Sequence, residues 1–428
     1  MTETNVALMA HLMRRASFGA SREELEARVS NGYEATVEEL LNPEAKEPID
    51  LYDLFRYQPW TWKPGTIQGM GHASWVYRML NTDAPLQEKM ALFWHGVFAT
   101  GVSKVDHWDE ITTAPVAVDT LLKHDDLFFV NETKGWLVTR NGHIYHTVDG
   151  GESWAIQYTD SVYWRCVGFA DELNGWAGNK LGDEGNLLYQ TKDGGENWSL
   201  VNNIPDPVPA GLCGINVYNN EIVNACGRIY GPGVFIRSED SGETWVSLDI
   251  SHKAEMAIDL YFWNEMRGII VGGTDGGFSN SKAVILQTED AGATWERIYL
   301  GARNSEWCWK ISFPTENVGY ISIQNGREEC SNEYFLKTID GGKTWQEHIF
   351  FTESDCEKWE WIYSGQAIGF FDSQIGWIGS YFHLPTLITV DGGQNWYESN
   401  WGYHVNRIRF ISDNIGYASG ETVYKFEF

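Results

Sequence analysis

The chain has 428 residues, 43% hydrophobic and 21% charged, with 44 Gly and 12 Pro, a globular composition that excludes disorder and collagen-like structure. Its 59 acidic residues outnumber 31 basic ones, and the resulting net charge of -28 opposes binding to nucleic acid or to anionic lipid. No apolar run reaches the roughly 20 residues of a membrane helix, so membrane insertion is excluded as well.

In chain order, residues 1–108 read as helical. Ser21-x-x-Glu24 is a capping box before LEARV, Gly32 follows as a stop, and Pro85 sits at the first turn of a predicted helix running to Phe98. The N-terminal MTETNVALMAHLMRR has no apolar stretch of signal-peptide length, which predicts a cytoplasmic protein. His72, His95 and His107 are too widely spaced for a local metal motif, and no metal or other cofactor is expected.

From residue 109 onward the pattern changes. The string Thr/Ser-x-Asp-x-Gly-x-x-Trp occurs six times, at 147–154, 191–198, 238–245, 288–295, 338–345 and 389–396, with starts 44, 47, 50, 50 and 51 residues apart. Between the copies runs a second motif, an aromatic residue followed six positions later by Gly: Phe129 and Gly135, Phe169 and Gly175, Phe262 and Gly268, Phe313 and Gly319, Phe370 and Gly376, Phe410 and Gly416. Val217 holds the aromatic place in the third unit, so there are seven units. Each carries four short runs of alternating polarity bounded by turn residues, which predicts a seven-bladed β-propeller of four-stranded antiparallel blades over residues 109–428. The boxed Asp149, Asp193, Asp240, Asp290, Asp340 and Asp391 are given a structural role: accepting backbone N–H groups across the turn between third and fourth strands, with Gly supplying positive φ and Trp filling space between sheets. The last unit lacks a fourth strand, and the stretch 111–118 is predicted to supply it and close the ring.

These boxes resemble the Asp-box (BNR) repeats of sialidases, sortilin-type receptors, xyloglucan-cleaving enzymes and photosystem II stability/assembly factor-like propellers. The combination of Gly-Trp on second strands with Thr-x-Asp-Gly-Gly-x-x-Trp in a single ring is most similar to the last group, whose propeller is a non-enzymatic assembly scaffold. Residues 1–108 resemble the start of the bacterial DUF1800 family, through LMRRASFGAS (12–21), EELLNP (38–43) and PLQEKMALFWHGVFATGVSKV (85–105). Where that family often reads Phe-Trp-His-x-His-Phe, Val97 replaces the second His after His95.

Of the 21 Trp, six lie in boxes, three follow Gly on second strands and five fall in the helical segment. Six of the remaining seven, Trp164, Trp307, Trp309, Trp359, Trp361 and Trp401, lie in connections from a fourth strand to the next blade, which surround one mouth of the channel. With Arg165, Lys310 and Arg407 nearby, they are the candidate ligand-binding residues, for a protein or peptide or a glycan. The expected function is therefore a non-enzymatic binding or assembly scaffold. The alternative is a glycoside hydrolase acting at the same mouth, which would show two facing carboxylates or three converging arginines there; no catalytic residues are named for it. The six cysteines, 166, 213, 226, 308, 330 and 356, are expected as free buried thiols, although a simple hairpin about Asn219-Asn220 would set Cys213 opposite Cys226.

Overall fold

The computed structural model describes residues 3–42, 46, 79–82, 84–90, 115–116, 124–181, 185–327, 329–359, 363–382, 384–399, 401–412 and 415–427. The chain divides into two compact units, Met1–Trp108 and Asp109–Phe428. In the first, α1 (Glu3–Ala16), α2 (Arg22–Asn31) and α3 (Tyr33–Leu41) follow one another. Ser21 Oγ accepts a hydrogen bond from the Glu24 amide at 3.1 Å, and Gly32, with φ 97°, ends α2 in a conformation a side chain would strain. Among its described residues Met9, Met13, Ala16 and Leu40 form a buried apolar cluster. Residues 85–90 are helical, and the rest of the predicted 85–98 helix lies outside the described residues.

The second unit is the seven-bladed propeller that the repeat spacing predicts, built as seven four-stranded antiparallel sheets. Six blades consist of consecutive strands. In the seventh, β26 (Arg407–Phe410), β27 (Ile415–Ser419) and β28 (Val423–Glu427) are joined by β1 (Pro115–Val116), which pairs with β28 through Pro115↔Tyr424 and Val116↔Val423.

Both repeated motifs have a geometric cause. In every box the Asp Oδ1 accepts the backbone N–H four residues on, at 2.8 to 3.0 Å, while the preceding Thr or Ser hydroxyl accepts the amide of the second glycine-position residue at 2.8 or 2.9 Å. The turn needs two successive positive φ values, as at Gly150 (68°) and Gly151 (80°). The second motif is a cross-strand pair. Phe129 on the first strand lies opposite Gly135 on the second, and its ring covers the glycine so closely that a Cβ there would sit 2.6 Å from ring carbons. The other five pairs repeat this, with 2.2 to 2.7 Å of clearance. The residue after the glycine then stacks on the next blade's Phe: Trp136 on Phe169 at 3.5 Å, Tyr320 on Phe370 at 3.4 Å, and Tyr417 of the last blade on Phe129 of the first at 4.0 Å. The box Trp completes the cluster edge-on, as Trp345 does to Phe313 at 5.9 Å.

The cysteines depart from expectation. The hairpin at 219–221 has three loop residues, with Asn219 at φ 46°, so the register moves by one and Cys226 faces Gly214 instead of Cys213. Cys213, Cys226, Cys166 and Cys308 are free and buried. Cys330 and Cys356 form a disulfide with a Cα–Cα distance of 5.6 Å, because the second-to-third-strand loop of blade five and the connection to blade six come together at one end of the sheet. That connection contains a short helix, α4 (Glu353–Trp359).

Candidate functional site

The innermost strand of each blade starts at the face that carries the interblade connections and the second-to-third-strand loops. These strands are β2 (His124–Phe129), β6 (Trp164–Phe169), β10 (Gly214–Tyr218), β14 (Met256–Phe262), β18 (Glu306–Ser312), β22 (Gly365–Phe370) and β26. In five of the seven the ladder skips residues just after this start: Asp125, Arg165, Ile258, Trp309 with Lys310, and Gln366 with Ala367. A bulge of this kind re-aims side chains without ending the strand. Here the repeated bulge delivers polar groups to the channel near its mouth.

Those groups meet across the ring. Arg165 Nη1 donates to Asp125 Oδ1 at 2.8 Å, and the Arg165 guanidinium lies 5.1 Å from the Trp309 ring. Trp309 Nε1 donates to Asn406 Oδ1 at 3.2 Å, and Gln366 Nε2 donates to the same oxygen at 2.5 Å. Arg407 reaches furthest. Its Nε donates to Asp126 Oδ1 at 3.0 Å, and Nη1 and Nη2 donate to the two Asp259 oxygens at 2.8 and 3.1 Å, so blades seven, one and four share one guanidinium. Burial, the largest influence, would raise the carboxyls of Asp126 and Asp259, yet Arg407 together with Lys310 and Arg409 outweighs it and both are held below the ordinary range. Lys310 is fully buried, its Nζ donates no hydrogen bond among the described residues, and burial together with Arg407 brings its ammonium down to about 7.

The candidate binding residues therefore divide. Trp164 is fully buried edge-on to Tyr189, Trp307 stacks on Phe278 at 4.6 Å with its Nε1 on Gln324, and Trp309, Arg165, Lys310 and Arg407 belong to the axial network. Trp401 is half-buried against Phe426 at 4.4 Å. The Trp359 side chain and all of Trp361 lie outside the described residues. The first three indoles are buried because each sits at the head of an innermost strand, where neighbouring blades converge.

Other aromatics open to solvent on the same face. Tyr230, Tyr381 and Phe382 lie in second-to-third-strand loops, and Tyr403 lies in the connection into blade seven, with exposures of 49%, 46%, 38% and 39%. Over blades one to three the Lys180 ammonium lies 4.9 Å from the Tyr163 ring and 5.5 Å from Tyr230, while Arg140 lies 5.5 Å from Tyr163 and pairs with Asp125. The Lys180 ammonium has no hydrogen bond or ion pair with a described residue; burial, then Arg165, lowers it from the ordinary value. Arg228 is directed by the carbonyls of Gly231 and Ala210 at 3.1 and 2.9 Å. The position of Arg140, Lys180, Arg228 and Tyr381 immediately after a second strand was a usable signal in the sequence that the count of Trp did not draw on.

The chemistry a hydrolase would require is differently arranged. Arg165, Arg407 and Arg409 converge near the axis, but each binds an aspartate of the protein itself. The nearby acids Asp125, Asp126, Asp259 and Glu306 are buried and paired with arginine. Among the described residues no group of three His, Cys, Asp or Glu is placed to hold a metal, and no helix is long and apolar enough to cross a membrane.

Fold and repeats define an Asp-box seven-bladed propeller resembling the photosystem II assembly factor propellers, preceded by a DUF1800-like segment. Residues 102–248 match the family described as photosynthesis system II assembly factor YCF48, and residues 11–124 match DUF1800, described as a protein of unknown function. Among solved structures, YCF48 bound to D1 peptide is similar at 17% identity and TM-score 0.56, over 74% of this chain and 95% of that one. YCF48 from Cyanidioschyzon merolae is similar at 16% identity and TM-score 0.57, over 74% and 99%. The GH74 enzyme of Niastella koreensis shares the fold at 14% identity and TM-score 0.50, over 70% of this chain and 51% of that one. No curated protein matches the sequence.

Proposed function

We propose that the propeller is a binding scaffold that holds an acidic peptide segment of a partner protein across its mouth. The observation that carries this reading is Lys180, a cation seated between Tyr163 and Tyr230 without a carboxylate partner among the described residues, in a chain whose net charge is -28. A peptide carboxylate would pair with Lys180, and apolar side chains would pack on Tyr230, Tyr381, Phe382 and Tyr403, since exposed aromatics beside a positive group are the usual anchors of such interfaces. The similarity to a propeller solved with a bound peptide supports a peptide over a glycan. The axial network gives this face a rigid floor.

The test uses an array of acidic peptides and their Asn/Gln counterparts. Lys180→Ala and Tyr230→Ala should each weaken capture of the acidic set by about tenfold, the equivalent of roughly 1.4 kcal/mol, with unchanged thermal unfolding. Equal capture of both peptide sets, or by both variants and the parent chain, would show that the mouth is not the binding face.

A further inference from the structure

The connection from blade five to blade six is where a covalent bond ties two loops together at the mouth end of a sheet. Cys330 is half-buried in loop 326–332, beside the exposed Glu329, and Cys356 is buried in α4 among Phe350, Phe351 and Tyr363. With seven residues, α4 is well below the roughly 12–15 at which an isolated helix becomes even marginally stable. Its described side chains give it little other anchorage: Glu353, Ser354 and Glu357 are exposed, Asp355 is half-buried, and Cys356 is the buried one. Among the described side chains polar ties are added. Thr352 Oγ1 donates to Asp355 Oδ2 at 2.6 Å, and the Glu353 amide donates to Asn332 Oδ1 at 2.9 Å.

We infer that the Cys330–Cys356 bridge is a redox latch on α4, opened by a dithiol reductant, and that its opening frees the helix from the rim of the mouth. The cut crosses no strand ladder, since loop 326–332 and α4 both lie outside the sheets. The step is a two-electron exchange. A thiolate of the reductant attacks Cys330 Sγ, the more accessible sulfur, and Cys356 Sγ leaves and takes up a proton. The second thiol of the reductant, as its thiolate, then displaces Cys330, which is protonated in turn, so the protein gains two thiols and the reductant becomes a disulfide. The four other cysteines do not compete, because they are buried in or beside strands; for Cys166, Cys226 and Cys308 burial raises the thiol well above its ordinary value.

The consequence for ligand capture rests on the binding role proposed above, but the test does not. The full chain is treated with dithiothreitol without denaturant, free thiols are counted by alkylation and mass spectrometry, and amide exchange is followed over 352–359. The bridge should open under native conditions and exchange in α4 should rise at least tenfold, while 333–338 and 365–370 keep their protection. The Cys330→Ser/Cys356→Ser variant should show the reduced pattern with no reductant. A bridge that opens only in denaturant, exchange unchanged after opening, or protection lost across blade five in the double variant would each overturn the latch and leave a structural staple.

Discussion

Replacing Arg407 by Met removes the charge shared by three blades and keeps most of the side-chain volume. In the parent chain Arg407 makes three hydrogen bonds to two carboxylates, and the side chains of Asp126 and Asp259 are 0% and 4% exposed. After the change Asp126 keeps Arg409 at 3.3 Å and the Leu127 amide at 3.0 Å, whereas among the described residues Asp259 keeps a single hydrogen bond, from the Ile311 amide at 3.1 Å to its Oδ2, with the Lys310 and Arg409 charges nearby. Removing one partner of a buried ion pair costs about 3 to 5 kcal/mol, most of it the penalty on the stranded charge. The expected loss at pH 7, from urea unfolding followed by Trp fluorescence, is in that range.

The pH dependence identifies the cause. In the parent chain both carboxyls are held below their ordinary values, so their contribution is present above the ordinary carboxylate range and fades as pH falls through the lowered values. In the variant burial acts without Arg407, and the aspartates bind protons more readily when folded than when unfolded. Their penalty therefore grows as pH rises and shrinks as they protonate. The difference between the two proteins should be largest near neutrality and contract below about pH 4. Adding Asp126→Asn and Asp259→Asn to Arg407→Met should recover most of the loss. A loss below about 1 kcal/mol, or one constant from pH 7 to pH 4, would refute a buried ionic tie.

Two further outcomes test the repeats. Asp340→Ala removes a carboxylate held down to about 2, chiefly by its hydrogen bonds with Thr344 and then Thr338; it should cost about 1 kcal/mol at neutral pH, and the cost should disappear as pH falls toward 2. Thermal unfolding at pH 7 and at the lowest pH the fold survives checks this. Gly319→Ala places a Cβ 2.2 Å from the Phe313 ring and should cost about 1 to 3 kcal/mol by overpacking; Phe313→Leu in the same chain should relieve part of it, a coupling that a double-mutant cycle measures.

The ring was legible in the sequence because its repeating parts are local. Asp149 finds its partners within four residues, and Phe129 meets Gly135 across one hairpin, so each unit carries a full description of its turn and its first two strands. Seven copies at similar spacing then leave few other folds. The disulfide, by contrast, joins residues 26 apart that only the blade topology brings together, and the Cys213–Cys226 register turned on one loop residue.

The axial network was hidden for a related reason. Arg407 meets Asp126 across 281 positions, and it does so only because the chain closes on itself and the innermost strands bulge near their starts. A bulge shifts side-chain facing by one position, so alternation, the signal that reveals a strand, misassigns the residues on either side of it. Trp309 and Lys310 are skipped by the same bulge, and that carries both to the axis instead of the rim. The motifs that build the blades and the residues that fill the channel thus obey different constraints. Box Asp and ring-covering Phe recur because every blade must turn and pack in the same way, whereas axial positions face one another across the ring and must differ from blade to blade for charges to pair. For the same reason the residues most informative about the mouth are those at which the seven repeats disagree.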